Sequence, residues 1–294
     1  MAEGCNQACS FCAIPSFKGK LNSRPVTQIV DEVIKLSAKG FFDFSFVSQD
    51  SSSYGRDRGE NEGLIGLIDE LEKRVSGDNF GRILYLYPST TTKELISRIE
   101  KSSFLVPYFD MPIQHISQRM LKIMKRGAGS EKIKDLLEQM RNVPNSFVRT
   151  SVIVGHPGET QEDFDEMCTF LENFAFDRVT VFAYSDEEDT AAYEMEEKVP
   201  QKIVNARLKK IEKIIAKQTK KQLEKRIDTM MDVVVNGESE ETELLLTAKA
   251  TLWAPEIDGE IYINDADVTP EVGKRGKVLI TGMVGETLLG QLVS

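Results

Sequence analysis

The chain has 294 residues, 40% of them hydrophobic and 29% charged, which is enough for one large domain with a sizeable core and a small domain beside it. No run of about 18 apolar residues occurs, and the first residues lack a basic stretch leading into an apolar one, so neither a membrane span nor export is indicated and the cytoplasm is the expected compartment. The formal net charge of −10 speaks against a chain that clings as a whole to nucleic acid.

At the start of the chain, Cys5, Cys9 and Cys12 fall within eight residues. Loops this short strain or forbid most pairwise disulfides but suit a shared metal. From about residue 26 a helical stretch followed by a short apolar run recurs, the βα rhythm of a parallel sheet. Helices are predicted over Val26–Lys39, Leu64–Arg74, Thr92–Glu100, Ser117–Met124, Lys132–Arg141 and Glu162–Phe174. Strands are predicted over Phe41–Val47, Ile83–Tyr87, Tyr108–Met111, Phe147–Val154 and Val179–Tyr184. Five such strands predict an α/β fold, an open or partial (βα) barrel with its site at the strands' C-terminal ends. The period of two places Ser45, Val47 and Gln49 on one face of their strand and Arg149, Ser151 and Ile153 on one face of theirs, which implies a polar lumen.

A basic amphipathic helix is predicted from Gln201 to Arg226, most simply a capping helix with a solvated face. Beyond Thr229 alternating strands take over, at Met231–Val235, Leu244–Ala250, Glu260–Ile263, Lys277–Ile280 and Leu288–Val293. These predict a small OB-like all-β barrel. The expected domains are therefore 1–227 and 228–294. Residues 229–294 carry 12 acidic and 4 basic side chains, so nearly all of the net negative charge lies in the barrel.

Three thiolates are one fewer than a structural zinc or an electron-transfer cluster normally takes, and three leave one metal corner open for a ligand. The remaining candidates for a fourth ligand are Cys168, His115 and His156. Cys168, beside Phe170 and Leu171 on a predicted helix, reads as a buried structural thiol. The two histidines follow strands, as ligands or as site-lining hydrogen-bonding groups.

The spacing Cys5-x-x-x-Cys9-x-Phe11-Cys12 resembles the signature of the radical SAM superfamily, whose members use a partial βα barrel. The resemblance implies a 4Fe-4S cluster on Cys5, Cys9 and Cys12 whose open iron binds S-adenosyl-L-methionine and whose electron starts radical chemistry. Gly4-Cys5-Asn6, Ser23-Arg24, Gln49-Asp50, Tyr54-Gly55, Pro112-Ile113-Gln114-His115, Met124-Lys125-Arg126, Val154-Gly155-His156-Pro157-Gly158-Glu159-Thr160 and Tyr184-Ser185 resemble the methylthiotransferase branch, and the terminal barrel resembles that branch's TRAM domain. The resemblance implies Phe11 against the adenine, Gln49 at the methionine amino group and Gly155 where the backbone approaches the adenosyl part. Arg149 suits the methionine carboxylate by charge and fork geometry, or else an internal ion pair. Asp110, Gln114 and Tyr184, also at strand ends, are pocket candidates.

Methylthiotransferases divide into enzymes that modify tRNA adenosine and one that modifies the β carbon of an aspartate in ribosomal protein S-twelve. A tRNA-binding barrel would be basic, whereas an acidic one suits a basic protein such as S-twelve on the small ribosomal subunit. Trp253-Ala254-Pro255-Glu256-Ile257-Asp258-Gly259 also resembles the ribosomal-protein branch. The family carries an N-terminal domain whose three further cysteines hold a second 4Fe-4S cluster. This chain begins almost at its cysteine loop, so that domain is expected to be missing and the N-terminal edge of the barrel truncated. Asp189 stands in the loop Ser185–Thr190 where the family more often has glycine. Two other readings stay open: a tRNA-modifying enzyme, if the basic helix outweighs the barrel, and a non-catalytic binding module with structural zinc.

Overall fold

A computed structural model describes residues 1–59, 63–239 and 245–293. The chain divides into two compact units, Met1–Phe174 with Val179–Ile214, and Ala175–Arg178 with Ile215–Ser294.

The first unit opens with strands β1 (Ala2–Glu3) and β2 (Asn22–Ser23), an antiparallel pair that joins the two ends of the cysteine loop. Helix α1 (Ile14–Lys18) lies within that loop. The main sheet has the order β3 (Asp43–Phe46), β4 (Phe80–Ile83), β5 (Leu105–Asp110), β6 (Phe147–Val154) and β7 (Arg178–Ala183), so sequential strands are spatial neighbours. The pairs β3/β4, β4/β5 and β5/β6 run parallel. Parallel neighbours need crossovers, supplied by α3 (Gly63–Arg74), α4 (Lys93–Glu100) and α5 (Gln118–Ile123) with α6 (Ser130–Asn142); α2 (Val26–Ser37) leads into β3, and α7 (Gln161–Asn173) joins β6 to β7. Each crossover helix buries residues at helical spacing, for example Leu64, Leu67, Ile68 and Leu71 on α3 and Ile133, Leu136, Leu137 and Met140 on α6. On β3 the alternation is as expected: Phe44 and Phe46 are buried and pack near Phe104.

The expected strand Ile83–Tyr87 lies earlier, over Phe80–Ile83. Tyr85 takes a left-handed backbone (φ 62°), and its N–H donates to the Asp110 carboxylate at 3.1 Å, which ends the ladder.

Helix α8 (Gln201–Glu224) follows. The second unit holds a closed barrel of β8 (Met230–Glu238), β9 (Leu246–Ala250), β10 (Ile261–Ala266), β11 (Arg275–Val284) and β12 (Thr287–Val293), in ring order β10-β12-β11-β8-β9. Only the β10/β12 pair is parallel. Val233, Ile261, Val278, Ile280 and Leu288 fill the interior. Leu244, the expected first residue of the second barrel strand, lies outside the described residues. Among the described residues no helix is long and apolar enough to cross a membrane.

Candidate functional site

The cysteine loop is held by the body of the fold at several points. Gly4 has φ 75°, and a Cβ there would collide with the Lys20 carbonyl oxygen, so only glycine fits where the two ends of the loop meet. Cys5 N–H donates to Gly19 O at 3.1 Å. The Gln7 side-chain amide donates to Asp50 Oδ2 at 2.8 Å. Asp50 is buried and also accepts from the Ser52 and Ser53 hydroxyls, at 2.9 and 2.6 Å. Ser10 is gripped three ways: its N–H donates to Met124 O (3.0 Å), its carbonyl accepts from Ala192 N–H (2.7 Å), and its hydroxyl lies 2.9 Å from His156 Nε2. His156 Nδ1 is 2.8 Å from the Pro157 carbonyl, which puts the ring proton on Nδ1 and leaves Nε2 to accept from Ser10. Burial lowers the pKa of this imidazole.

Cys5 and Cys12 are half-buried, and burial pushes both thiols up; the Gln7 and Ile14 backbone amides act in the opposite sense. Cys9 Sγ lies 3.2 Å from Arg126 Nη1 and 3.3 Å from the Tyr87 hydroxyl. Cys168 is 4% exposed on α7, where burial pushes it up to about 11.

The three loop thiols line a cavity of about 540 Å³ at the C-terminal ends of the parallel strands. Its walls include Ser48 and Gln49 beyond β3, Tyr85 to Tyr87 beyond β4, Pro112 and Gln114 beyond β5, Ser151 on β6 and Phe182 on β7. Phe11 and Gln49 thus line it, and Gln49 Oε1 is buried without a hydrogen-bond partner among the described residues. Gln114 also lines it, in a left-handed conformation (φ 68°) fixed by two backbone bonds to β6: its N–H to Ser151 O, and its carbonyl to Ile153 N–H.

Arg149 and Gly155 are not among the lining residues. Arg149 Nη1 lies 3.3 Å from Asp110 Oδ1, an internal ion pair. Gly155 has φ 83°, and a Cβ there would meet Val204 Cγ2 of α8 at 2.6 Å, so its conformational freedom serves helix packing. Tyr184 packs with Phe11 on Met120, Met124 and Ile153. Asp189, where glycine is more usual, has φ 62°, a conformation aspartate tolerates better than most side chains.

Sequence reasoning assigned no role to Glu159, Tyr87 or Arg126. The fully buried Glu159 carboxylate takes the Arg207 guanidinium and, at 2.8 Å, the Gly155 N–H, with His115 Nε2 at 3.4 Å from its other oxygen. Its only advance signal is its place in the motif Val154–Thr160.

Residues 1–171 match the radical SAM superfamily and residues 227–293 match the TRAM domain. Coproporphyrinogen III oxidase (HemN) of Escherichia coli, described as a radical SAM enzyme, superposes with a TM-score of 0.56 at 16% identity over 73% of this chain and 50% of its own. The radical SAM methyltransferase TsrM of Kitasatospora setae superposes with a TM-score of 0.51 at 18% identity, over 61% of this chain and 34% of its own. A half-barrel whose cysteine loop lies at the C-terminal ends of the strands, joined to those matches, makes this chain a member of the radical SAM superfamily, which implies a 4Fe-4S cluster and S-adenosylmethionine.

Curated relatives narrow the class. "Ribosomal protein uS12 methylthiotransferase RimO" of a Nitratiruptor species is 56% identical over 291 residues, 99% of this chain and 67% of that protein. The proteins of the same name from Wolinella succinogenes (53% identity, 99% of this chain, 66% of that protein) and Campylobacter jejuni (56%, 91% and 60%) agree. The chain belongs to the RimO family of methylthiotransferases, and it spans about two thirds of the length of these relatives.

Proposed function

We propose that this chain is the S-adenosylmethionine-cleaving and substrate-docking part of a methylthiotransferase that places a methylthio group on the β carbon of an aspartate in ribosomal protein uS12. We take residues 1–227 as its catalytic core and 228–294 as its docking barrel. One observation carries the reading: Cys5, Cys9, Cys12 and Gln49 line a single cavity at the C-terminal ends of the parallel strands.

The donor set fits an iron–sulfur cluster with one open iron. Three thiols stand on one anchored loop, backbone amides point at their sulfurs, and the Arg126 guanidinium stands by to balance negative charge. A cube of four irons offers each thiolate its own iron, so the same spacing suits a cluster better than one zinc. When bound, the cluster supplies the electron that cleaves S-adenosylmethionine to a hydrogen-abstracting deoxyadenosyl radical.

The chain's own residues bind, orient and exclude water. Gln49, with a buried unpartnered oxygen, is suited to the methionine amino group. Phe11, Leu86 and Ile14 give the cavity an apolar wall that keeps water from a reactive radical. Arg149 acts through Asp110, whose carboxylate fixes the Tyr85 turn at the cavity wall. The acidic barrel is suited to steer a basic ribosomal protein to the site.

The test is anaerobic iron–sulfur reconstitution, followed by an assay for deoxyadenosine from S-adenosylmethionine under reducing conditions. The expected result is about four irons per chain with deoxyadenosine formed, both lost in Cys9→Ala. Bound zinc without deoxyadenosine would sink the reading. Tight, steeply salt-dependent binding to tRNA stem-loops but not to uS12 would redirect it to RNA.

A further inference from the structure

Met124 anchors the cysteine loop, but the two residues that follow it raise a separate question, since the fold spends a special backbone conformation on them. Helix α5 ends at Ile123, Lys125 turns left-handed (φ 54°), and Arg126 N–H returns to Leu121 O. The turn drives Arg126 inward until it is only 4% exposed. There one guanidinium nitrogen donates to Cys9 Sγ at 3.2 Å and another to the Pro112 carbonyl, while the guanidinium carbon lies 4.2 Å from the centre of the Tyr87 ring. The Tyr87 hydroxyl lies 3.3 Å from the same sulfur.

Among the described residues no carboxylate pairs with Arg126; its contacts are a thiol, a carbonyl and an aromatic face. A buried cation without an anionic partner costs several kcal/mol, and the fold offers it one anion in contact, the Cys9 sulfur once that thiol has become a thiolate. Among the described residues the donors at the Cys5 and Cys12 sulfurs are backbone N–H groups, of Gln7 and Ile14, so the three cysteines are not equivalent.

Resting on the reading of the cysteines as cluster ligands, we propose that Arg126 and Tyr87 are positioning residues for the cluster, donating two hydrogen bonds to the Cys9 thiolate that hold it in place and raise the cluster's reduction potential. The physical reason is charge: adding an electron makes the cluster more negative, and donors at a ligand sulfur stabilise that state more than the oxidised one. With both donors on one sulfur, the electron is easier to load at the site where S-adenosylmethionine is cleaved.

The test compares wild type, Tyr87→Phe, Arg126→Lys and Arg126→Leu after anaerobic reconstitution, each assayed for iron and sulfide and then titrated for its midpoint potential by absorbance and electron paramagnetic resonance. At equal iron content, Arg126→Leu is expected to shift the one-electron equilibrium about tenfold against reduction, about 59 mV more negative. Tyr87→Phe is expected to move it the same way by less, and Arg126→Lys to recover part of the loss. Should Arg126→Leu fail to fold, Tyr87→Phe, which removes one oxygen atom, carries the comparison. Potentials and spectra unchanged in Tyr87→Phe and in the folded Arg126 variants overturn the proposal, as does an Arg126→Leu that weakens only the binding of a uS12 peptide. A wild-type chain that takes up zinc and no iron overturns the reading of the site, and this inference with it.

Discussion

A methyl group at position 155 has nowhere to go: Val204 of α8 stands 2.6 Å from where it would sit, and the backbone there is left-handed. Gly155→Ala is therefore expected to cost about 1–3 kcal/mol from overpacking, with roughly 1–2 kcal/mol more for the conformation. At about 2–4 °C per kcal/mol for a chain of this order of size, melting should fall by several degrees, and an unchanged melting curve would show that α8 yields without cost. Gly155 and Arg149 also mark how far single residues can be read from sequence. The period of two puts Arg149 and Ser151 on one face of β6, and Ser151 does line the cavity. It says nothing of Asp110, which arrives from β5 to pair with Arg149. The cysteines, by contrast, are legible because their spacing is itself the chemistry. Arg126 lies more than a hundred residues from Cys9, and only the fold brings the two together.

At the scale of elements, helices and strands follow their apolar periods closely, and they depart where a distant side chain intervenes, as at Tyr85. The link between α3 and the turn before β5 shows a similar dependence. Glu72 of α3 accepts from Arg98, the Ser102 hydroxyl and the Ser103 N–H. Burial alone would push this carboxyl up, but those donors outweigh it and bring it down to about 2, against an ordinary 4.5. A carboxyl lower in the folded than in the unfolded chain adds stability above the unfolded value and loses it as pH falls towards the folded one. Stability of the first unit should therefore drop between about pH 4.5 and 2, and Glu72→Gln should flatten that part of the profile. A Gln variant with an unaltered acid limb would assign the loss to other carboxylates.

For the molecule as a whole, the dominant asymmetry is charge: residues 229–294 hold 12 acidic and 4 basic side chains. If this field recruits a basic partner, replacing Glu256, Glu260 and Glu286 by lysine should slow association with uS12 at low salt by at least tenfold, and the difference should vanish as salt approaches about 1 M, where charges are screened within about 3 Å. Equal association rates at low salt would remove the barrel from recognition. Domain order and charge partition are legible in the sequence because both are properties of long stretches. Closure of the barrel is not, since it depends on β10 meeting β12 in parallel, a pairing that no local pattern announces.

That closure sets how each unit comes apart. Every barrel strand has a neighbour on both sides, so no strand can peel away without breaking two ladders at once, and the ring opens as a unit or not at all. The five-stranded sheet has ends, with β3 and β7 each paired on one side only among the described residues. Amide hydrogen exchange should accordingly find one protection class around the barrel, and a gradient across the sheet from slow β5 at its centre to faster margins. The thiols that line the cavity are carried on a loop whose closing β1/β2 pair is only two residues long, so the loop keeps its place through its bonds to Asp50, Met124, Ala192 and His156 and not through a ladder of its own.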